Sequence, residues 1–305
     1  MSACQTAHGF LAIRRDKAGR FQLGGPKMGM TAKLPLAGVE VEASIDPLWI
    51  QIRSEAADIL ASDGDLGSFV RQNVIDQPSF DTAVIARLAA RLDHADLPRD
   101  RIYEIFSSLA ASDPAIGQGF RADLIAVADR DPACTRMIEP LLYFKGFHAL
   151  QTHRMAFALN RMGRRDIALY LQSRSSEIFQ TDINPEAQIG LGVFLDHATG
   201  LVVGQTAVVE DNVSILQGVT LGGTGKATGD RHPKIRQGVL IGAGAKILGN
   251  IEIGQCARIA AGSVVLKDVP RNVTVAGVPA KIVGESGCAE PARTMDQILA
   301  DKANL

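Results

Sequence analysis

Three segments of this sequence carry side chains whose types and spacing are suited to chemistry. The first is Leu195-Asp196-His197-Ala198-Thr199-Gly200. A neutral imidazole oriented by a carboxylate is a good general base near neutral pH. A lone surface histidine is usually inert, but His197 has Asp196 beside it and a further acid, Asp182, some two repeats earlier. Asp182 can also be read more simply, as a turn residue before Ile183-Asn184-Pro185. The second segment runs from Gly222 to Pro233 and holds Lys226, Asp230, Arg231 and His232 among glycines. A guanidinium such as that of Arg231 is a natural fork for a carboxylate, although a merely solvated loop has the same composition. The third comprises Gly242-Ala243-Gly244-Ala245 and Ala260-Ala261-Gly262-Ser263. Small side chains let an extended ligand lie against backbone N–H and C=O groups, and repeat geometry asks for small residues as well. Gly222-Gly223-Thr224-Gly225-Lys226 lacks the spacing and the strand–helix setting of a phosphate loop.

The elements that must hold these groups have an unusual period. Every sixth residue from Ile183 is aliphatic: Ile189, Leu195, Leu201, Ala207, Val213, Val219. A second series runs Ile235, Ile241, Ile247, Ile253, Ile259, Val265. Helices repeat at 3.6 residues and strands at 2, so neither explains six. Six residues suit one short strand and one turn, and three such units close a triangular coil. Each inward aliphatic contributes roughly 1.5–3 kcal/mol by area, so a single coil is unstable and neighbours share the core. The two series are out of phase between Val219 and Ile235, so the polar segment 222–233 leaves the prism there. Such an excursion is a natural place for function. The period leaves the handedness of the coil open; parallel connections are normally right-handed.

Before the repeats, 3.6-residue periodicity predicts helices. Trp49, Ile52, Ala56, Ile59 and Leu60 form one such set; Val84, Ile85, Leu88 and Leu92 a second; Ile102, Ile105, Phe106 and Leu109 a third. Ser44-Ile45-Asp46-Pro47, Asp113-Pro114 and Asp131-Pro132 read as helix starts. The stretch 139–161 is apolar around much of its circumference, which predicts burial against other helices or another subunit. The expected domains are a flexible extension over 1–40, a helical oligomerisation domain over 41–181, a β-helix over 182–284 and a tail over 285–305.

Bulk properties narrow the partners. A net charge of −1 gives no field for nucleic acid or an anionic membrane. The four cysteines, Cys4, Cys134, Cys256 and Cys288, form no CxxC and no zinc-spaced cluster, so no metal is expected. Scattered reduced thiols, with no signal peptide and no apolar run of about 18 residues, predict a cytoplasmic protein.

The motifs DHATG at 196–200, GDRHPKIR at 229–236 and KGFHALQ at 145–151 occur here together. Together with Gly222-Gly223-Thr224-Gly225-Lys226 and Ala276-Gly277-Val278-Pro279-Ala280, they closely resemble bacterial serine O-acetyltransferases over about residues 45–285. The resemblance implies a helical domain followed by a left-handed parallel β-helix, and transfer of acetyl from acetyl-CoA to L-serine in cysteine biosynthesis. It implies His197 as general base, oriented by Asp182, with Asp131 and Asp196 on the serine amine and Arg231 and His232 on its carboxylate. It places CoA along the later coils near Gly223, Ala243 and Ala261; Lys281 is added as a phosphate partner from its charge and position. It further implies trimers paired as hexamers, L-cysteine as feedback inhibitor and O-acetylserine sulfhydrylase bound by the C-terminal tail. Family tails usually end in isoleucine, whereas this one ends Asp301-Lys302-Ala303-Asn304-Leu305, a departure that bears on that last complex.

Rival readings are another hexapeptide acetyltransferase with a sugar or antibiotic acceptor, which need not carry Asp131 or the GDRHP loop, and a non-catalytic trimerisation scaffold. A hexapeptide-repeat carbonic anhydrase would need three metal-binding histidines, and His197 alone lies within the coils.

Overall fold

The computed structural model describes residues 12–15, 21–24, 46–225, 228–287 and 289–297. Of the expected N-terminal extension, Ala12–Arg15 pairs antiparallel with Phe21–Gly24. The rest of it, Ser44-Ile45, Lys226 and the tail end Asp301 to Leu305 lie outside the described residues.

Helix α1 (Pro47–Ser62) starts as its sequence predicts: the Asp46 carboxylate accepts from the Trp49 N–H at 3.2 Å and Pro47 opens the first turn. A short α2 (Gly67–Val70) passes into a π-helical turn, Arg71–Ile75. A capping box between Ser79 and Thr82 opens α3 (Phe80–Leu92). Next come α4 (Arg99–Ser112) and α5 (Pro114–Arg130), the latter capped by Asp113. Then follow α6 (Ile138–Leu142), α7 (Lys145–Arg161) and α8 (Arg165–Phe179). Their apolar faces meet around Phe80, Phe106, Phe120 and Phe179, all fully buried.

Two local expectations are corrected. Asp131-Pro132 does not start a helix: Asp131 ends α5, and its carboxylate accepts from the Ala133 N–H at 2.8 Å. That bond closes a turn in competition with a helical one. The apolar stretch 139–161 is broken at Tyr143-Phe144 into α6 and α7.

The helical layer is tied to the β-helix by buried polar contacts. Asp123, fully buried, accepts from Arg154 Nε at 2.8 Å, from Gln151 Nε2 at 2.9 Å and from the Val193 N–H at 3.1 Å. Arg154 also donates to the Gly190 carbonyl at 2.6 Å. Arg130, at the end of α5, reaches the Val213 carbonyl and Ser214 Oγ. From the other end of the chain, α9 (Pro291–Thr294) folds back onto this junction, where Ser214 Oγ donates to the Ala292 carbonyl at 2.7 Å.

Residues 181–277 wind as a parallel β-helix with three sheets. The first sheet holds Thr181–Ile183, Leu201–Val203, Thr220–Gly222, Lys246–Leu248 and Val264–Val265. The second begins at Gln188–Ile189 and the third at Phe194–Leu195. The third ends in a hairpin of Val273–Gly277 and Ala280–Glu285. In a regular coil, partners lie eighteen residues apart, as Val203 and Leu221, or Ile235 and Ile253.

The register departs from eighteen at two places that bear on function. Across the segment 223–233 it is twenty-six, as between Val209 and Ile235, so this excursion is the one the phase break predicts. The second was not expected. Ile183 pairs with Val203, Ile189 with Val209 and Leu195 with Ile215, each twenty residues apart. Two extra residues therefore sit in the corner 196–200. The seven-member series from Ile183 to Val219 is not one structural column: after Leu195 it passes to a second inward position, occupied by Leu201, Ala207, Val213 and Val219. Inward positions within a strand lie two apart, so a two-residue insertion leaves the aliphatic pattern intact and hides itself.

Candidate active site

The inserted corner projects His197. His197 and Ala198 both have positive φ, 54° and 59°, a conformation that costs a non-glycine residue energy and is held here by its surroundings. The imidazole is 73% exposed, with Nε2 at 3.7 Å from Asp196 Oδ1. Asp196 is half-buried and its carboxyl is raised above its ordinary value. Burial is the main cause; Asp131 raises it further, and His197 opposes both. The structure thus brings Asp131, Asp196 and His197 together, where helical domain and prism meet.

Helix α7 supports this corner from behind. A Cβ on Gly146 would lie 2.0 Å from the Leu195 carbonyl oxygen, so only glycine permits the approach. Lys145 donates to Thr199 Oγ1 and, at 3.3 Å, to Gln180 Oε1. Asp182 lies on the outer surface of the first sheet and accepts from Gln172 Nε2 at 2.6 Å. Within one chain Asp182 is thus bonded to Gln172, and His197 is paired with Asp196.

Arg231 and His232 occupy the other end of the first sheet, at the turn Gly204-Gln205-Thr206. Arg231 Nη2 donates to Gln205 Oε1 at 3.1 Å and Nη1 to the Gly229 carbonyl at 3.2 Å. Gln205 is in turn aligned by Glu186, which accepts from its amide at 2.8 Å. Neutral oxygens therefore hold the guanidinium and leave its charge for an anion. The His232 ring is buried against Gly204, where a Cβ would meet ring Cδ2 and Nε2 at 2.1 Å. Burial, then Arg231 and Lys234, hold its imidazole below the ordinary histidine value, partly offset by Asp230. Gly200 and Gly204 bound one strand of the sheet, about 13 Å of extended chain. The His197 corner and the Arg231–His232 corner of one chain thus sit too far apart to grip one small amino acid.

The corner bearing His197 continues up the prism. The Gly218 N–H donates to Thr199, Gly244 to Gln217 and Gly262 to Ala243. Ala243 and Ala261 therefore stand in the column above His197, and the hairpin with exposed Lys281 caps that side. Gly223 belongs to the opposite corner, packed on Arg231. Gly242 answers to repeat geometry: a Cβ there would lie 2.6 Å from the Ala261 nitrogen of the next coil. Among the described residues no group of three or more His, Cys, Asp or Glu is arranged to hold a metal ion.

Two family models match the chain: "Serine acetyltransferase, N-terminal" over residues 48–152 and "Bacterial transferase hexapeptide (six repeats)" over 232–267. The chain is 50% identical over 253 residues to the serine acetyltransferase of Salmonella typhimurium, covering 83% of this chain and 93% of that protein. The chain belongs to the serine acetyltransferase family. Among solved serine acetyltransferases, the Brucella abortus protein in complex with coenzyme A is 62% identical, with a TM-score of 0.79, covering 80% of this chain and 98% of that one. The soybean serine acetyltransferase complexed with serine is 48% identical, with a TM-score of 0.76, covering 77% and 97%.

For a serine acetyltransferase, sequence reasoning left Gly146, Lys145 and Thr206 without roles. Lys145 and Gly146 lie within the KGFHALQ motif, which was a usable signal. Thr206 had none: it occupies an ordinary turn of the repeat, and its contacts are with residues 25 and 26 positions later.

Proposed function

We propose that this chain transfers acetyl from acetyl-CoA to the hydroxyl of L-serine, giving O-acetyl-L-serine, with His197 as general base. The observation that carries the reading is that the extra residues at 196–200 and 223–233 carry the two polar groups the reaction needs. At one, Asp196 and Asp131 form a paired negative site at which an ammonium would relieve their repulsion. At the other, Arg231 and His232 offer donors to a carboxylate. The serine hydroxyl is a weak nucleophile, so His197 takes its proton as the oxygen attacks the thioester carbonyl. The C–S bond then breaks and the departing thiolate recovers the proton from the imidazolium. Asp182 is assigned the orienting of His197 in the assembled enzyme.

Transfer is direct. Burial, chiefly, with Glu139 and Asp131, pushes the Cys134 thiol up to about 12, which makes it a poor acyl carrier. Acetyl-CoA lies along the column of Ala243 and Ala261, with Gly223 contributed from the facing corner and Lys281 near the nucleotide phosphates. Because the two corners are separated in one chain, the site forms between neighbours of a trimer, and two trimers join through the helical domains. L-cysteine, which differs from serine in carrying sulfur for the hydroxyl oxygen, competes at the same contacts. Tail binding to O-acetylserine sulfhydrylase, and cytoplasmic placement, belong to the same reading. No helix among the described residues is long and apolar enough to cross a membrane.

The test is release of free thiol from acetyl-CoA in the presence of serine, homoserine or a sugar. Serine-dependent release is expected, falling about 10²–10⁴-fold in His197→Ala. Release that ignores serine would defeat the acceptor assignment, and a fully active His197→Ala would defeat the mechanism.

A further inference from the structure

Two histidines face the proposed serine site, and the chemistry has room for one base. We propose that Thr206 is a positioning residue that locks His232 as the neutral tautomer protonated on Nε2, so that His232 presents only a donor to the ligand and cannot act as a base. The inference rests on the reading of serine as acceptor and deepens it.

The backbone and the hydroxyl of Thr206 both meet the Arg231–His232 pair. Thr206 Oγ1 accepts from the Arg231 N–H at 3.0 Å and from the His232 N–H at 3.2 Å. Its one proton then faces two acceptors, His232 Nδ1, 2.9 Å away, and the Asp230 carboxylate, with which Thr206 also hydrogen-bonds. The Thr206 backbone N–H also points at Nδ1, at 3.2 Å. A backbone N–H can only donate, so Nδ1 must be the unprotonated nitrogen. The proton of the neutral ring therefore sits on Nε2, an atom that no described residue hydrogen-bonds. Lys234 closes the arrangement by donating to the Thr206 carbonyl at 2.7 Å. Because the two amides that Thr206 accepts belong to Arg231 and His232 themselves, one side chain sets both members of the carboxylate-binding pair.

The test begins with 15N spectra of the histidine-labelled protein as a microcrystalline solid at pH 7, without substrate. His232 is assigned by the signals lost in His232→Asn. Nδ1 resonating as an unprotonated and Nε2 as a protonated ring nitrogen supports the proposal; the reverse, or a doubly protonated ring, overturns it. The spectrum decides the tautomer whether or not serine proves to be the acceptor. In steady-state assays, Thr206→Val is expected to raise the serine KM about tenfold, since buried amides lose their acceptor. The KM for acetyl-CoA and kcat should stay within about twofold, and Thr206→Ser should restore the serine KM. An unchanged serine KM in Thr206→Val overturns the proposal.

Discussion

Asp196 sits between two neighbours of opposite effect. His197 favours its charged form, while burial and Asp131 disfavour it, and the latter prevail. Its folded-state pKa is therefore raised, and the stability linked to it is present at low pH and lost as pH rises through that pKa. At neutral pH the pair is a standing cost, which the proposed ammonium ligand would relieve. Asp131→Asn removes one cause of the shift and retains an oxygen for the Ala133 N–H. At pH 7 the variant should melt higher by on the order of 1–2 °C. Its serine KM should rise tenfold or more, as expected when a hydrogen bond to a charged group is lost. A lower midpoint with an unchanged KM would show that Asp131 is structural. Asp131 and Asp196 were assigned to the amine through family resemblance; nothing in their spacing of 65 positions announces that they interact.

Among the elements, α7 and the corner it supports decide where His197 points. Gly146 admits the Leu195 carbonyl because it has no Cβ. Gly146→Ala must push α7 from the corner, at about 1–3 kcal/mol. Displacing a reacting group by about 1 Å can cost about 10²-fold in rate. The expected result is a melting midpoint a few degrees lower with kcat reduced at least tenfold. Near-wild-type kcat would separate the corner from α7. The excursion at 223–233 was legible because eight extra residues interrupt the six-residue phase. The two-residue insertion at 196–200 was not, because it matches the strand's own period of two.

At the scale of the molecule, the division of the proposed site between two corners makes a sharp prediction. His197→Ala and His232→Asn proteins, each severely impaired, should complement when coexpressed. Random mixing leaves about a quarter of the sites with both intact histidines, one from each neighbour. A mixture no better than its parents would place each site within one chain. Burial also sets the response to acid. His148 and His153 are fully buried, and desolvation is the main cause that lowers both to about 3. Each donates from Nε2, to the Leu141 and Ala187 carbonyls respectively. Unfolded histidine titrates near 6.5, so the unfolded chain binds more protons between about pH 6.5 and 3. Stability is then full above that window and falls as pH drops through it. Denaturant midpoints should decline below about pH 6.5, and His153→Gln should flatten the slope; a midpoint constant from pH 7 to 5 would contradict this.

The sequence alone determined the period of six, hence the stacked coils, and the helical domain before them. It also located the polar loop, because burial demands aliphatic residues at fixed intervals and a long interruption cannot be disguised. The motifs named the family and, through it, the candidate residues. Tertiary structure alone decided the rest. Asp131 comes within electrostatic reach of Asp196 because α5 ends against the prism. Thr206 governs Arg231 and His232 because one coil lies beneath the next. The two histidines stand at opposite edges of one sheet because the inserted residues fall in different corners. Such contacts join residues remote in the chain, and periodicity records which way a side chain faces but not what it meets there.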